Sequence, residues 1–101
     1  MTQANRYPRK YSLKPAAVPR VETTHRRIVT PLPVPESIPI LEKLERYEPV
    51  SMQGQPPVVI HRSEGPYVYD QWGNQWLDWS AGVLISNVGN AHPALRNALR
   101  E

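Results

Sequence analysis

The run from Tyr67 to Pro93, YVYDQWGNQWLDWSAGVLISNVGNAHP, constrains this chain most. Tyr67-Val68-Tyr69 is β-rich. Asp70-Gln71-Trp72-Gly73-Asn74 has the chemistry of a tight hairpin turn. The Asp70 carboxylate can accept backbone N–H groups within the turn, and Gly73 can take a positive φ without steric cost. Gln75 to Trp79 then returns as a strand. Ser80-Ala81-Gly82 breaks it with small residues. Val83-Leu84-Ile85 is apolar, and Ser86 to Asn90 reads as loop. Pro93 opens a helix that Ala94, Leu95, Ala98 and Leu99 continue to Glu101 with no capping signal. A helix left open in this way predicts a piece of a longer protein, and the few large apolar side chains available for a core predict that it is at best marginally stable alone.

Upstream, Val58 to Arg62 reads as a strand and Glu64-Gly65-Pro66 as a turn. The expected unit is therefore a three-stranded antiparallel sheet plus short helices. Ser37 can cap a short helix running to about Tyr47. Pro39 sits in its first turn, where its missing N–H costs nothing. Ile40, Leu41, Leu44 and Tyr47 fall on one face. A helix this short needs its apolar face docked on something. Pro31, Pro33 and Pro35 make residues 31–36 a stiff, extended arm.

Ten of the twelve prolines precede Val58, and seven of the twelve Lys and Arg residues lie in the first thirty positions against one acid, Glu22. The balance reverses from Pro31 onward, so the net charge of +3 belongs to the N-terminal segment. Residues 1–30 are expected to be a basic, disordered tail. Their bases are spread singly, without the recurring aromatic platforms that a single-strand nucleic-acid binder needs. Neither a nucleic-acid nor a membrane partner is expected. There are no cysteines, so disulfides and thiolate metal sites are excluded. No apolar run can span a bilayer, and the N-terminus lacks the apolar core of a secretion signal. A cytoplasmic location is the expectation.

Chemically expressive residues are sparse. Asp70 and Asp78 are explained by turn capping and backbone hydrogen bonding. His25, His61 and His92 lack metal-ligand spacing, and His92 suits the start of the last helix. Ser80 lacks the strand–elbow–helix setting of a hydrolase nucleophile, and no glycine-rich phosphate loop is present. Taken alone, the residues describe a small α+β piece with an apolar loop and no catalytic or metal-binding group. A stand-alone Trp-rich β binding module, with its basic tail on an acidic partner, fits the same residues.

The stretch from about Pro56 to Arg100 resembles the N-terminal region of class III pyridoxal-phosphate-dependent aminotransferases. The resemblance lies in Val59, Glu64-Gly65, Tyr67-Val68-Tyr69-Asp70, Gly73-Asn74, Trp76-Leu77-Asp78-Trp79, Ser80-Ala81-Gly82-Val83, Asn87-Val88-Gly89 and His92-Pro93. It implies a fold type I α/β transferase acting as a homodimer. Residues 37–101 would be the N-terminal part of its small domain. The implied chemistry moves an amino group between an amine or amino acid and a keto acid or aldehyde. Pyridoxal 5'-phosphate would be bound through a lysine that comes later in the family's chain. No catalytic or cofactor-binding residue is then expected in these 101 residues. Gly82, Val83 and Leu84 correspond to positions lining the substrate pocket. Gly89-Asn90 departs from the family, where many members have Gly-His.

Overall fold

The computed structural model describes residues 11–52 and 54–101. The chain divides into two units. The first comprises residues 11–18 and 31–59, the second residues 19–30 and 60–101.

In the first unit, Ala16 and Leu32 exchange a pair of backbone hydrogen bonds, each 3.0 Å. A 3₁₀ turn over Pro35–Ser37 leads into helix α1 (Ile38–Tyr47). The arm expected to stay extended to residue 36 therefore coils from Pro35. Ser37 is the N-cap residue, but its hydroxyl bonds backward, donating to the Val34 carbonyl at 2.7 Å. This ties the 3₁₀ turn together and leaves the cap to backbone geometry. Leu41 and Val34 are buried, whereas Ile40, Leu44 and Tyr47 are exposed. The apolar face expected for α1 is thus buried mainly at Leu41. A second 3₁₀ turn spans Val50–Met52.

The second unit is built on a five-stranded antiparallel sheet, with β1 (Val21–Glu22), β2 (Arg27–Ile28), β3 (Arg62–Glu64), β4 (Tyr67–Tyr69) and β5 (Gln75–Leu77) in the order β1-β2-β5-β4-β3. The expectation of three strands is corrected here. The two additional strands come from residues 19–30, which read as tail. They contain a β-branched run, Val21, Thr23, Thr24, Ile28, Val29 and Thr30, of the kind that favours a pleated surface. Intervening arginines dilute its alternation. Residues 1–10, the rest of the expected tail, lie outside the described residues. The strand expected over Val58–Arg62 also shifts. Pairing with β4 begins at Arg62, preceded by one bond from the His61 N–H to the Tyr69 carbonyl at 2.7 Å.

The register sorts side chains by face. Val21 pairs with Ile28, Val68 with Trp76, and Ser63 with Val68, which places these residues on one side. Arg27, Gln75, Tyr69, Tyr67 and Arg62 share the other. There the Arg62 guanidinium stacks 3.7 Å from the Tyr69 ring centre, and His25 Nδ1 lies 2.6 Å from the Tyr67 hydroxyl in a hydrogen bond.

The hairpin turn is held by the side chains of Asp70 and Asn74. Asp70 Oδ1 accepts from the N–H groups of Trp72 and Asn74, both at 2.9 Å, and Gly73 has φ +97°. Asn74, 1% exposed, uses its side chain in three directions. Oδ1 accepts from the Val29 N–H at 2.8 Å, and Nδ2 donates to Thr30 Oγ1 at 2.8 Å and to Asp70 Oδ2 at 2.7 Å. Only one residue pair, Arg27 with Gln75, joins β2 to β5, so Asn74 carries much of the attachment of the N-terminal strands. Among the described residues, no buried side-chain nitrogen or oxygen lacks a partner.

Candidate functional site

The candidate site begins where β5 ends. The Asp78 N–H donates to the Pro66 carbonyl at 2.8 Å and closes the sheet pairing. The chain then enters α2, a single helical turn over Ala81–Leu84. This turn is left-handed. Ala81, Gly82, Val83 and Leu84 have φ of 50°, 59°, 63° and 66°. Its bonds run from the Leu84 N–H to the Ser80 carbonyl and from the Ile85 N–H to the Ala81 carbonyl, both 2.8 Å, with Ser86 N–H on the same Ala81 carbonyl at 2.7 Å.

A left-handed turn brings Cβ against the following carbonyl at about 1–2 kcal/mol per L-residue. Three of these four residues carry a Cβ, so the turn stores about 3–6 kcal/mol. Gly82 is free of that cost, and an added Cβ there would meet nothing nearer than Ser86 Oγ at 3.5 Å. The turn presents its apolar residues outward: Val83 is 67% exposed and Leu84 82% exposed, followed by an exposed Ile85.

Two groups of bonds frame the turn. On its leading side Asp78 Oδ1 accepts from Ser80 Oγ at 2.7 Å and from the Ser80 N–H at 3.0 Å. The Ser80 hydroxyl holds the Asp78 carboxyl below the ordinary aspartate range. Partial burial opposes it, and the backbone N–H groups of Ser80, Gly82 and Ala81 reinforce it. On its trailing side the loop is stitched to the β3–β4 turn. Gly65 and Asn90 exchange two backbone bonds of 2.8 Å. A Cβ on Gly89 would lie 2.9 Å from the Gly65 carbonyl carbon, so glycine is required there by contact as well as by its φ of +81°. Ser86 Oγ donates to Asn90 Oδ1 at 3.2 Å. Asn90, where the resembled family often has histidine, is thus engaged in holding the loop.

Beyond the loop comes α3 (Pro93–Arg100). His92 caps it, Nδ1 accepting from the Ala94 N–H at 3.2 Å. Leu95 and Leu99 are exposed, as is Trp79 at 89%. Of the tryptophans, Trp76 in β5 and Trp72 in the hairpin turn are half-buried, whereas Trp79 is not.

The structure keeps Gly82, Val83 and Leu84 together on one turn, with Ser80 and Asp78 bonded to each other at its leading edge. Asp70 lies buried in the hairpin turn, and its carboxylate is consumed by the Asn74 and Trp72 bonds. Among the described residues, no three His, Asp or Glu side chains come together as a metal site, and no helix is long and apolar enough to cross a membrane. Residues 19–30 and 60–101, the unit that holds the turn, contain no lysine. These residues therefore cannot supply the Schiff-base group of pyridoxal phosphate. The bonding role of Asn74, just before β5, had no signal beyond its short polar side chain, of a kind that commonly bonds backbone. Asp78 makes the backbone hydrogen bonding expected of it.

No family model matches the chain, and no solved structure does. Curated relatives match part of it. The succinylornithine transaminase of Salmonella paratyphi A is 42% identical over 45 residues, and the proteins of the same name from Citrobacter koseri and Salmonella newport match to the same degree. The aligned stretch covers 45% of this chain and 11% of each relative. The chain is thus similar to the transaminases over a short segment of their length.

Proposed function

We propose that this chain is the N-terminal portion of a pyridoxal-phosphate-dependent class III aminotransferase of fold type I. In this reading the intact enzyme moves an amino group between an amine or amino acid and a keto acid or aldehyde. The observation that carries the reading is the 42% identity over 45 residues with succinylornithine transaminases. The lysine that would hold the cofactor belongs to another part of the intact protein, as do the groups that do proton transfer. Residues 37–101 contribute to the small domain, and residues 19–30 join its sheet. The 101 residues alone are catalytically silent. A homodimer in the cytoplasm completes the reading.

Within it, Gly82, Val83 and Leu84 form an apolar wall of the substrate pocket. Their outward, unburied presentation supports this role, because the turn withholds these side chains from its own unit. An aliphatic wall sorts substrates by size and shape and moves no proton.

The intact protein tests the reading directly. Purified with added pyridoxal phosphate, it should show the absorbance band of an internal Schiff base, and borohydride should fix the cofactor on a lysine beyond residue 101. If no band forms, the aminotransferase reading is lost and the stand-alone Trp-rich module takes its place. Val83→Tyr and Leu84→Trp should shift preference among amine donors while changing stability by less than about 0.5 kcal/mol, as surface substitutions do. Identical kinetics across a donor series would remove the pocket-wall role.

A further inference from the structure

We propose that Asp78 is the positioning residue of the substrate-pocket wall: its carboxylate holds the backbone of residues 80–84 in the left-handed turn that presents Val83 and Leu84. This rests on the reading of Gly82, Val83 and Leu84 as a pocket wall.

The left-handed turn is strained at Ala81, Val83 and Leu84, and its apolar side chains are exposed. Packing within the unit therefore does not select this conformation. The selecting force must act on the backbone, and on the leading side of the turn Asp78 is placed to do so. Ser80 has right-handed dihedrals, φ −86° and ψ −13°, and Ala81 is left-handed at φ 50°. A right-handed residue followed by a left-handed one turns successive N–H groups into a concave anion-binding nest. The anion in this nest is the Asp78 carboxylate, two residues earlier, bonded to the Ser80 N–H and hydroxyl at 3.0 and 2.7 Å. Charge-assisted bonds of this kind are roughly twice as strong as neutral ones. The N–H groups of Ala81 and Gly82 act on the same carboxylate.

Asp78 itself is fixed from behind. Its own N–H is bonded to the Pro66 carbonyl at 2.8 Å, so it is the last residue anchored to the sheet before the turn. The sheet sets Asp78, Asp78 sets the nest, and the nest sets the direction of Val83 and Leu84. Asp78 acts through the wall and touches no reacting atom, which separates this role from acid or base catalysis.

The test uses the intact protein and two readouts. Hydrogen exchange on peptides covering residues 78–90 reports the amides of Leu84, Ile85 and Ser86, which are bonded inside the turn. Steady-state kinetics across amine donors of increasing length reports the wall. Asp78→Asn keeps the shape and removes the charge, and Asp78→Ala removes the acceptor as well. Both should lose protection at residues 84–86, Ala more than Asn. Both should also raise KM for long or branched donors about three- to tenfold, with kcat for the smallest donor within about twofold, the pattern of lost ground-state binding.

Ala81→Gly, added to Asp78→Asn, should restore protection and donor preference, because glycine accepts positive φ without the nest. A purely structural defect would lower kcat for every donor alike and would not respond to Ala81→Gly. Unchanged protection in both Asp78 variants overturns the positioning role while leaving the aminotransferase reading untouched. Lost protection with an unchanged donor series overturns it too, because the turn then shapes no pocket. An intact protein without the Schiff-base band sinks the aminotransferase reading first, and this role with it.

Discussion

Asp70 directly follows β4, Asp78 directly follows β5, and the two make the same local bond. Each accepts, through Oδ1, the N–H of the residue two positions on, Trp72 at 2.9 Å and Ser80 at 3.0 Å. Their surroundings then diverge. The Asp70 turn has both its ends, Asp70 and Asn74, buried, places glycine at its positive-φ position, and sends the Asn74 side chain to Val29 and Thr30. The Asp78 turn is largely exposed and sets three residues other than glycine at positive φ. One carboxylate consolidates a fold. The other holds open a conformation that the fold does not require. An identical device thus serves cohesion where water is excluded and presentation where it is not.

The comparison can be broken most forcefully at the buried end. Asn74→Ala removes the bonds to the Val29 N–H, the Thr30 hydroxyl and Asp70 Oδ2, and should cost about 2–4 kcal/mol. Denaturant titration should show a lower midpoint, and exchange at the Val29 amide should accelerate. An unchanged midpoint would mean that the N-terminal strands are held by other contacts.

Gly89→Ala is expected to cost about 2 kcal/mol, combining a φ unsuited to alanine with the contact against Gly65. Thermal melts would measure it, and a neutral result would show that the 86–90 loop can move away from Gly65.

Gly82→Ala should cost about 1 kcal/mol, the backbone term alone, since the space around it is open. A larger loss would reveal packing against the turn that the 81–84 geometry does not show.

The smallest effect concerns pH. Asp78 has a folded-state pKa below its ordinary value of 3.8, so its contribution is full above that value and is lost as pH falls through the lower folded-state pKa. Amide protection at residues 84–86 should therefore persist down to about pH 4 and decline below it. In Asp78→Asn the decline should be absent. If it remains, another group controls the turn.

How much of this was legible in the sequence divides along the same line. The Asp70–Asn74 hairpin was readable because its chemistry is local: an aspartate, a glycine and flanking β-formers suffice. Pro93 and His92 announced α3 for the same reason. The strands Val21–Glu22 and Arg27–Ile28 pair with each other locally, but what joins them to the sheet was hidden, because Arg27 meets Gln75 and the Val29 N–H meets Asn74 across more than forty residues. The left-handed sense of residues 81–84 was equally hidden. Ala81, Val83 and Leu84 are residues that oppose positive φ, so propensity pointed away from the backbone they adopt. Gly82 marked the place without revealing the handedness. The proposed wall residues were therefore locatable by resemblance, whereas the group that sets their direction needed the hydrogen bonds.

The reach of Asn74 also imposes an order of events during synthesis. Residues 21–30 leave the ribosome first but gain their partner only after residue 74 has emerged and the 67–77 hairpin has closed. Until then they are a short, arginine-bearing segment with nothing to pair with beyond itself. Closing a loop of more than forty residues is entropically slow compared with closing a hairpin. The first-made strands of this sheet thus join it late, once β5 and Asn74 are in place to receive them.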